Sequence, residues 1–452
     1  MGGSAAPGPA PKNDSQRTVV ITGVGMVSPL GNSTAELWQN LRVGQTGLGE
    51  LAHLALDAYR TRVGGAVRDF QPRQYIPDPK SLKLMTRPVR LGVAALELAV
   101  RDAGLDTPAA IAGLNPARIA CYVGSPGHAG DRDELLRGLD LSYRQDGLDL
   151  RAFGADGIPT INPLWLLKSL ANLVLYFVSL RLGAQGPNAN ICMSGAGGSM
   201  AVGEAFHVIR YGRAEVALAG GYESLLDEER LESFEPSGLL YLGDGDAAAA
   251  SRPFDRDRAG FVAAEGGAFL VLEEAEHARR RGAKIYGEIR GYGSASSGRP
   301  GRCNDTSAAY LSAMQAALAD ARCDPWQLDA IFAQGTATAS SDRAEAQALK
   351  ELLTARAAYT PITAVKSLTG NLLAGSGPLE LIAALGSLAA PGAVIPAIRN
   401  CQHPDPELGL DLVRGDARAG DYCRVLANAA GLGGVVASVV LERWPAAEPA
   451  RA

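Results

Sequence analysis

The sequence predicts an α/β fold in which one layered arrangement of helices and strands occurs twice, and three observations lead there. Short β-branched runs alternate with Ala/Leu-rich helical stretches along the whole chain. The series of strands and helices runs through twice in a similar order. The length, 452 residues, is enough for two core-bearing units or one large double unit, and 47% hydrophobic with 20% charged residues is ordinary for a globular protein.

In the first series, a β-branched strand at 18–22 precedes a helix at 34–41 and a long Ala/Leu-rich helix at 87–103. The turn Thr22-Gly23-Val24-Gly25 after the first strand invites a dinucleotide reading, but the third glycine of that fingerprint is missing and Pro29 spoils the helix start. A strand at 119–123 follows. The most apolar stretch, 164–182, is interrupted by Lys168, Ser169, Asn172 and Arg181, which argues for a buried helix and against a membrane span. A helix at 198–211, strands at 216–219 and 267–272, and a charged helix at 273–281 complete the series. The second series has strands at 285–289, 330–332, 425–429 and 435–441 and helices at 307–321 and 343–354. The expected division is a flexible leader at 1–16, halves at 17–283 and 284–445, and a flexible tail at 446–452. The leader lacks the apolar core of a signal peptide, and Met1-Gly2 lacks the Ser/Thr position of a myristoylation signal.

The net charge of −5 gives no reason to expect nucleic-acid or anionic-membrane binding. Six cysteines (121, 192, 303, 323, 401 and 423) are scattered without a CxxC pair or zinc spacing, so no metal is expected. They read as buried thiols of a reducing, cytoplasmic protein.

Several ordered segments stand out together: Val19-Val20-Ile21-Thr22-Gly23-Val24-Gly25 with Ser28-Pro29-Leu30-Gly31, Gly183-Ala184-Gln185-Gly186-Pro187-Asn188, and Gly220-Gly221-Tyr222-Glu223. The most specific is Ser251-Arg252-Pro253-Phe254-Asp255 with Arg258, Gly260-Phe261-Val262 and Glu265-Gly266. In this order they resemble the β-ketoacyl-acyl carrier protein synthases, the ketosynthases of the thiolase superfamily. The resemblance covers about residues 17–445 and implies a thiolase-like fold, a duplicated αβαβα layered architecture.

In that family a cysteine on a tight turn at a helix N-terminus takes an acyl chain as a thioester, and two histidines assist decarboxylation and stabilise the enolate and oxyanion. Aligning Gly203-Glu204-Ala205 with the equivalent helix puts Gly195 in the nucleophile slot. The histidine slots hold Gln334 and Asn371, side chains that take no proton near neutrality. Cys192, three residues before the slot, reads mainly as a small core hydrophobe. None of the histidines 53, 128, 207, 277 and 403 lies in a replacing motif. Thr336, Thr338, Asp342, Glu345 and Lys366 match the family's supporting network. Asp342-Arg343-Ala344-Glu345 equally reads as a capping box opening the helix at 343–354, the reading preferred here. Lys366 requires a paired anion or a path to solvent. In the glycine-rich loop Asn428 to Val436, Leu432 replaces the usual gating phenylalanine and Val436 the asparagine. The amides of Gly195 and Leu432, with Gly433 beside them, would still suit an oxyanion hole.

The resemblance therefore implies a chain-length-factor-like subunit. It would pair with an active ketosynthase in a heterodimer of a type II polyketide, polyene or fatty-acid-like synthase and shape the acyl pocket. Glycine in place of the usual glutamine departs from that pattern. No cofactor is expected, and the substrate arm would be the acyl-phosphopantetheine of an acyl carrier protein. Residues 163–167 and 169–180 would line the chain or form plain core helix. The alternatives are acyl transfer or cyclisation using Cys192, Ser194 or Lys366, and a scaffold with no pocket role.

Overall fold

Ten strands form one mixed sheet: β1 (Val19–Val27), β2 (Ile119–Gly124), β3 (Asn188–Ile191), β4 (Val216–Ser224), β5 (Glu265–Glu274), β6 (Gly287–Ser296), β7 (Ala330–Phe332), β8 (Ile362–Thr363), β9 (Arg424–Ala430) and β10 (Val435–Glu442). These come from a computed structural model that describes residues 16–51, 60–76, 78–127, 132–243, 245–298 and 306–445. The leader expected at 1–16 (apart from Gln16) and the tail at 446–452 lie outside the described residues, as do His53, His128 and Cys303.

The strand order is β8-β7-β9-β10-β6-β1-β5-β4-β2-β3, and its pairing repeats. From β1, the neighbours β5 and β4 pair antiparallel and β2 and β3 parallel. From β6, the neighbours β10 and β9 pair antiparallel and β7 and β8 parallel. The halves join where Val19, Val20 and Ile21 of β1 pair with Ile289, Glu288 and Gly287 of β6. The duplication expected from element order is thus present strand for strand.

Helices α1 (Thr34–Arg42), α2 (Arg87–Asp102), α3 (Trp165–Lys168), α4 (Leu173–Leu182), α5 (Gly197–Arg210), α6 (Ser307–Ala321), α7 (Ala339–Leu353) and α8 (Ser376–Leu388) make the layers. α5 and α8 pack on each other between the two half-sheets, α2 and α4 cover the outside of one half, and α6 and α7 cover the other. Strand side chains alternate accordingly. In β4, Ala217 and Ala219 face the central helices while Val216 and Leu218 face α2 and α4. In β9, Val425 and Ala427 face inward and Leu426 faces α6 and α7. Burial on both faces makes these strands read as continuous apolar runs.

Five expectations change. Thr22-Gly23-Val24-Gly25 is not a turn after the first strand but part of β1, which runs on to Val27. The strand at 285–289 lies at Gly287–Ser296, where glycines admit a helix at close range: a Cβ on Gly291 would fall 2.5 Å from Ala321 N of α6. The helix at 343–354 starts four residues earlier, after Thr338. The apolar run 164–182 is two helices, α3 and α4, with Leu166, Tyr176 and Leu180 exposed by 69%, 53% and 61%, because its apolar residues surround the helix and cannot all face one core. Of the cysteines, Cys121, Cys323 and Cys401 are buried, but Cys192 and Cys423 are exposed. No helix among the described residues is long and apolar enough to cross a membrane.

Candidate functional site

Three segments meet at the inner end of α5. The first is the turn Met193 to Ala196, which follows edge strand β3 and leads into α5. Ser194 holds a left-handed φ of 48°, an uncommon conformation for a residue with a Cβ, and its hydroxyl is buried without a partner. Gly195 is buried next to it.

The second segment is the loop Gln334-Gly335-Thr336 after β7. Its backbone amides are pinned by two buried carboxylates of α7. Glu345 accepts from Gln334 N at 2.8 Å and Gly335 N at 3.0 Å, and Asp342 accepts from Thr336 N at 3.0 Å and Phe254 N at 2.9 Å. This overturns the capping-box reading: both residues lie inside the helix and brace the loop above it. The motif around Phe254 completes the brace, with Arg258 donating to Asp405 at 2.9 Å and lying 3.9 Å from Asp342. Burial pushes the Asp342 carboxyl up to about 7 against the opposing pull of its amide donors and Arg258, and burial also raises Glu345.

The third segment runs from Lys366 through Asn371 into α8. Lys366 is buried and pairs with Glu380 of α8, the anion it required. Its Nζ also donates to Gln334 O at 2.9 Å and Gln334 Oε1 at 3.0 Å. Burial raises the Glu380 carboxyl, and Lys366 opposes that rise. Asn371 Oδ1 accepts from Leu373 N at 3.0 Å and Ser376 Oγ at 3.2 Å, organising the turn that starts α8.

Gln334 and Asn371 line one pocket with Thr336, Thr338, Ser341 and Leu432. Its free volume of about 50 Å³ has room for a few waters. The lining consists of hydroxyls, amides and apolar groups, with no cysteine, histidine or charged side chain among the described residues. Thr336 Oγ1 is buried there without a partner. Gly195 adjoins the pocket from behind. A Cβ built on it would lie 3.7 Å from Gln334 Nε2 and would meet the Ala430 carbonyl oxygen well inside 3.0 Å, a distance real Cβ atoms essentially never show. Gln334 Nε2 donates to that oxygen at 3.1 Å. The main chain at the end of β9 therefore fills the place of a side chain at 195.

The turn after Ala430 leaves Leu432 on the pocket rim and Gly433 exposed outside it. Cys192 is solvent-exposed at the end of β3, so the core-hydrophobe reading fails. Its sulfur lies 3.4 Å from Ser125 Oγ and 3.3 Å from Asn190 Nδ2, a neutral polar setting. Sequence reasoning missed Glu380, Ser376 and Ala430. A lone carboxylate in the apolar run Leu379 to Leu385 was the available sign of Glu380, whereas a backbone carbonyl leaves none.

The family description "Beta-ketoacyl synthase, N-terminal domain" matches residues 16–278, and "Beta-ketoacyl synthase, C-terminal domain" matches residues 286–402. A 3-oxoacyl-[acyl-carrier-protein] synthase 2 of Synechocystis is 33% identical over 96% of this chain and 99% of its own length. A putative polyketide beta-ketoacyl synthase 1 of Streptomyces cyaneus is 34% identical over 94% of this chain and 98% of its own. Among solved structures, the ishigamide ketosynthase/chain length factor superposes with a TM-score of 0.83 at 26% identity, covering 95% of this chain and 100% of that one. AntDE:AntF, a type II acyl-carrier protein in complex with its ketosynthase, gives 0.80 at 27% identity with the same coverage.

Proposed function

The chain belongs to the β-ketoacyl synthase family, and from that premise we propose that it is the non-condensing, chain-length-factor-like member of a pair whose other member is an intact ketosynthase. One observation carries this reading: the Ala430 carbonyl lies where the side chain of residue 195 would have to be. A thioester needs a nucleophile there, and proton transfer near neutrality needs groups other than the amides Gln334 and Asn371. Both amides serve structural bonds, Gln334 to Ala430 and Lys366, Asn371 to the start of α8.

The surface supports a partner. Leu150, Ile158, Leu164, Leu166, Tyr176 and Leu180 are exposed, and the last two lie on α4, which leads into edge strand β3. β3 pairs on one side only, so its other side offers unpaired backbone groups to a second sheet. The solved ketosynthase/chain length factor assembly is a precedent for such pairing. With about 50 Å³ free at the degenerate site, the growing chain would lie in the partner and along the shared interface, its length limited by side chains there. Its phosphopantetheine arm and acyl carrier protein would engage the partner's cysteine.

The test is co-expression with an intact ketosynthase from the same biosynthetic locus, then size-exclusion chromatography and a malonyl-carrier condensation assay. A two-chain species that condenses, beside a lone chain that does not, is the expected result. Efficient elongation by the purified chain alone defeats the proposal. A second reading, acyl transfer through Cys192, draws on that thiol's exposure. Protection of Cys192 from iodoacetamide by an acyl-carrier thioester would favour it.

A further inference from the structure

Away from the degenerate site, a cleft opens between α1, α8 and the segment 392–396, with about 300 Å³ of free volume against about 50 Å³ at the site itself. That volume is at the lower end of small-ligand pockets, roughly 300–1,000 Å³. We propose that this cleft is a second ligand site, for a small planar carboxylate that lies against Trp38 with its anionic end on Arg42.

The walls are fixed before any ligand arrives. The Trp38 indole N–H donates to Ile382 O of α8 at 2.8 Å, and the ring lies 6.1 Å from Tyr286. Gly386 lets the indole lie against α8, since a Cβ there would fall 2.6 Å from Trp38 Cδ1. On the opposite wall, Ser387 Oγ donates to Val394 O at 2.8 Å, and Gly392 N donates to Gly420 O at 2.9 Å. A flat, preformed aromatic wall favours a flat ligand, because little side-chain freedom is lost on binding.

The polar groups set the charge. Arg42 is the one charged residue among those lining the cleft, and among the described residues no carboxylate pairs with it. The side-chain amide of Gln39, one turn from Arg42 on the same helix, has no hydrogen-bond partner among the described residues. A guanidinium presents paired N–H donors suited to a carboxylate, and the amide adds a donor beside it. The cleft lies along α8 from the degenerate site, with Gly386 ten residues after Ser376, about 15 Å at the helical rise. Binding here is separate from the condensing-pair reading.

Saturation-transfer NMR titrations of the full chain with trans-cinnamate, cinnamyl alcohol and acetate test the proposal. Cinnamate should saturate, the isosteric alcohol should bind at least about fivefold more weakly, and acetate should not saturate. Arg42→Gln, an exposed substitution expected to leave the melting temperature unchanged, should bring cinnamate down to the level of the alcohol. Gly386→Ala should weaken both aromatic probes by displacing the indole. Failure of cinnamate to saturate, equal binding of acid and alcohol, or an Arg42→Gln chain that binds cinnamate as well as the parent overturns the proposal.

Discussion

Restoring the sulfur by Gly195→Cys should not restore chemistry. The new Cβ would require the Ala430 carbonyl to retreat by at least about half an ångström to clear 3.0 Å. That carbonyl is held from three sides. Gln334 Nε2 donates to it, Ala430 pairs with Val436 in the β9–β10 ladder, and Gly431 N donates to Val435 O at 2.8 Å. Gly431 is itself so close to the 193–196 turn that a Cβ there would fall 2.5 Å from Met193 O. Forcing extra volume into a close-packed interior costs about 1–3 kcal/mol, and losing the Gln334–Ala430 hydrogen bond adds about 1 kcal/mol. The variant should therefore lose about 2–4 kcal/mol of stability by urea unfolding. It should also form no acyl adduct at residue 195 by peptide mapping after incubation with an acyl-carrier thioester. Adding Gln334→Ala frees the carbonyl, so the double variant should be about 1 kcal/mol more stable than the sum of the single effects. A Gly195→Cys chain as stable as the parent, acylated at 195, would refute the reasoning.

Four further outcomes follow from the same structure. Lys366→Met should cost about 3–5 kcal/mol in urea unfolding by leaving Glu380 buried and unpaired, and adding Glu380→Leu should recover most of it. Burial raises both Asp342 and Glu223 to about 7, above their unfolded values, so their stabilising contribution is complete below about pH 4 and lost as pH rises through 7. Glu273, held down at about 2 by Arg281, His277 and Thr22 against its own burial, acts oppositely and loses its contribution as pH falls from about 4.5 towards 2. The urea midpoint should therefore decline between about pH 5 and 7 and level off above that, each raised carboxyl adding up to about 1.4 kcal/mol per pH unit, and Glu223→Gln should flatten part of that slope. Leu166→Asp with Leu180→Asp should abolish co-purification with an intact ketosynthase while the chain's own melting temperature stays within a degree or two, since both side chains are exposed. Iodoacetamide should label Cys192 and Cys423 in the native chain but spare Cys121 and Cys401, whose thiols burial pushes up to about 12.

The long β-branched strands were legible because both faces are buried, as at residues 119–123 and 435–441. Helix α8 was not, since Ser376–Leu388 is apolar all round and carries no amphipathic period. The edge strands β3 and β8 are too short and polar to stand out. At the site, motif alignment placed Gly195, Gln334 and Asn371, and the structure brings all three to one place. Asp342 and Glu345 misled because their spacing matches a capping box and the same spacing lets both reach the loop above the helix. The filling of position 195 depends on the orientation of a main-chain carbonyl, which no residue type encodes locally.

The position of β1 bears on how the chain is made. This nine-residue, fully buried strand leaves the ribosome first among the described strands, yet both its neighbours, β5 and β6, begin at Glu265 and Gly287. At about 5–20 residues per second, translation keeps it waiting roughly 10–50 s without a partner. Through that interval an apolar segment with open ladder groups is free to join the wrong sheet, so the nascent polypeptide should depend on holdase protection until about two-thirds of it has been synthesised.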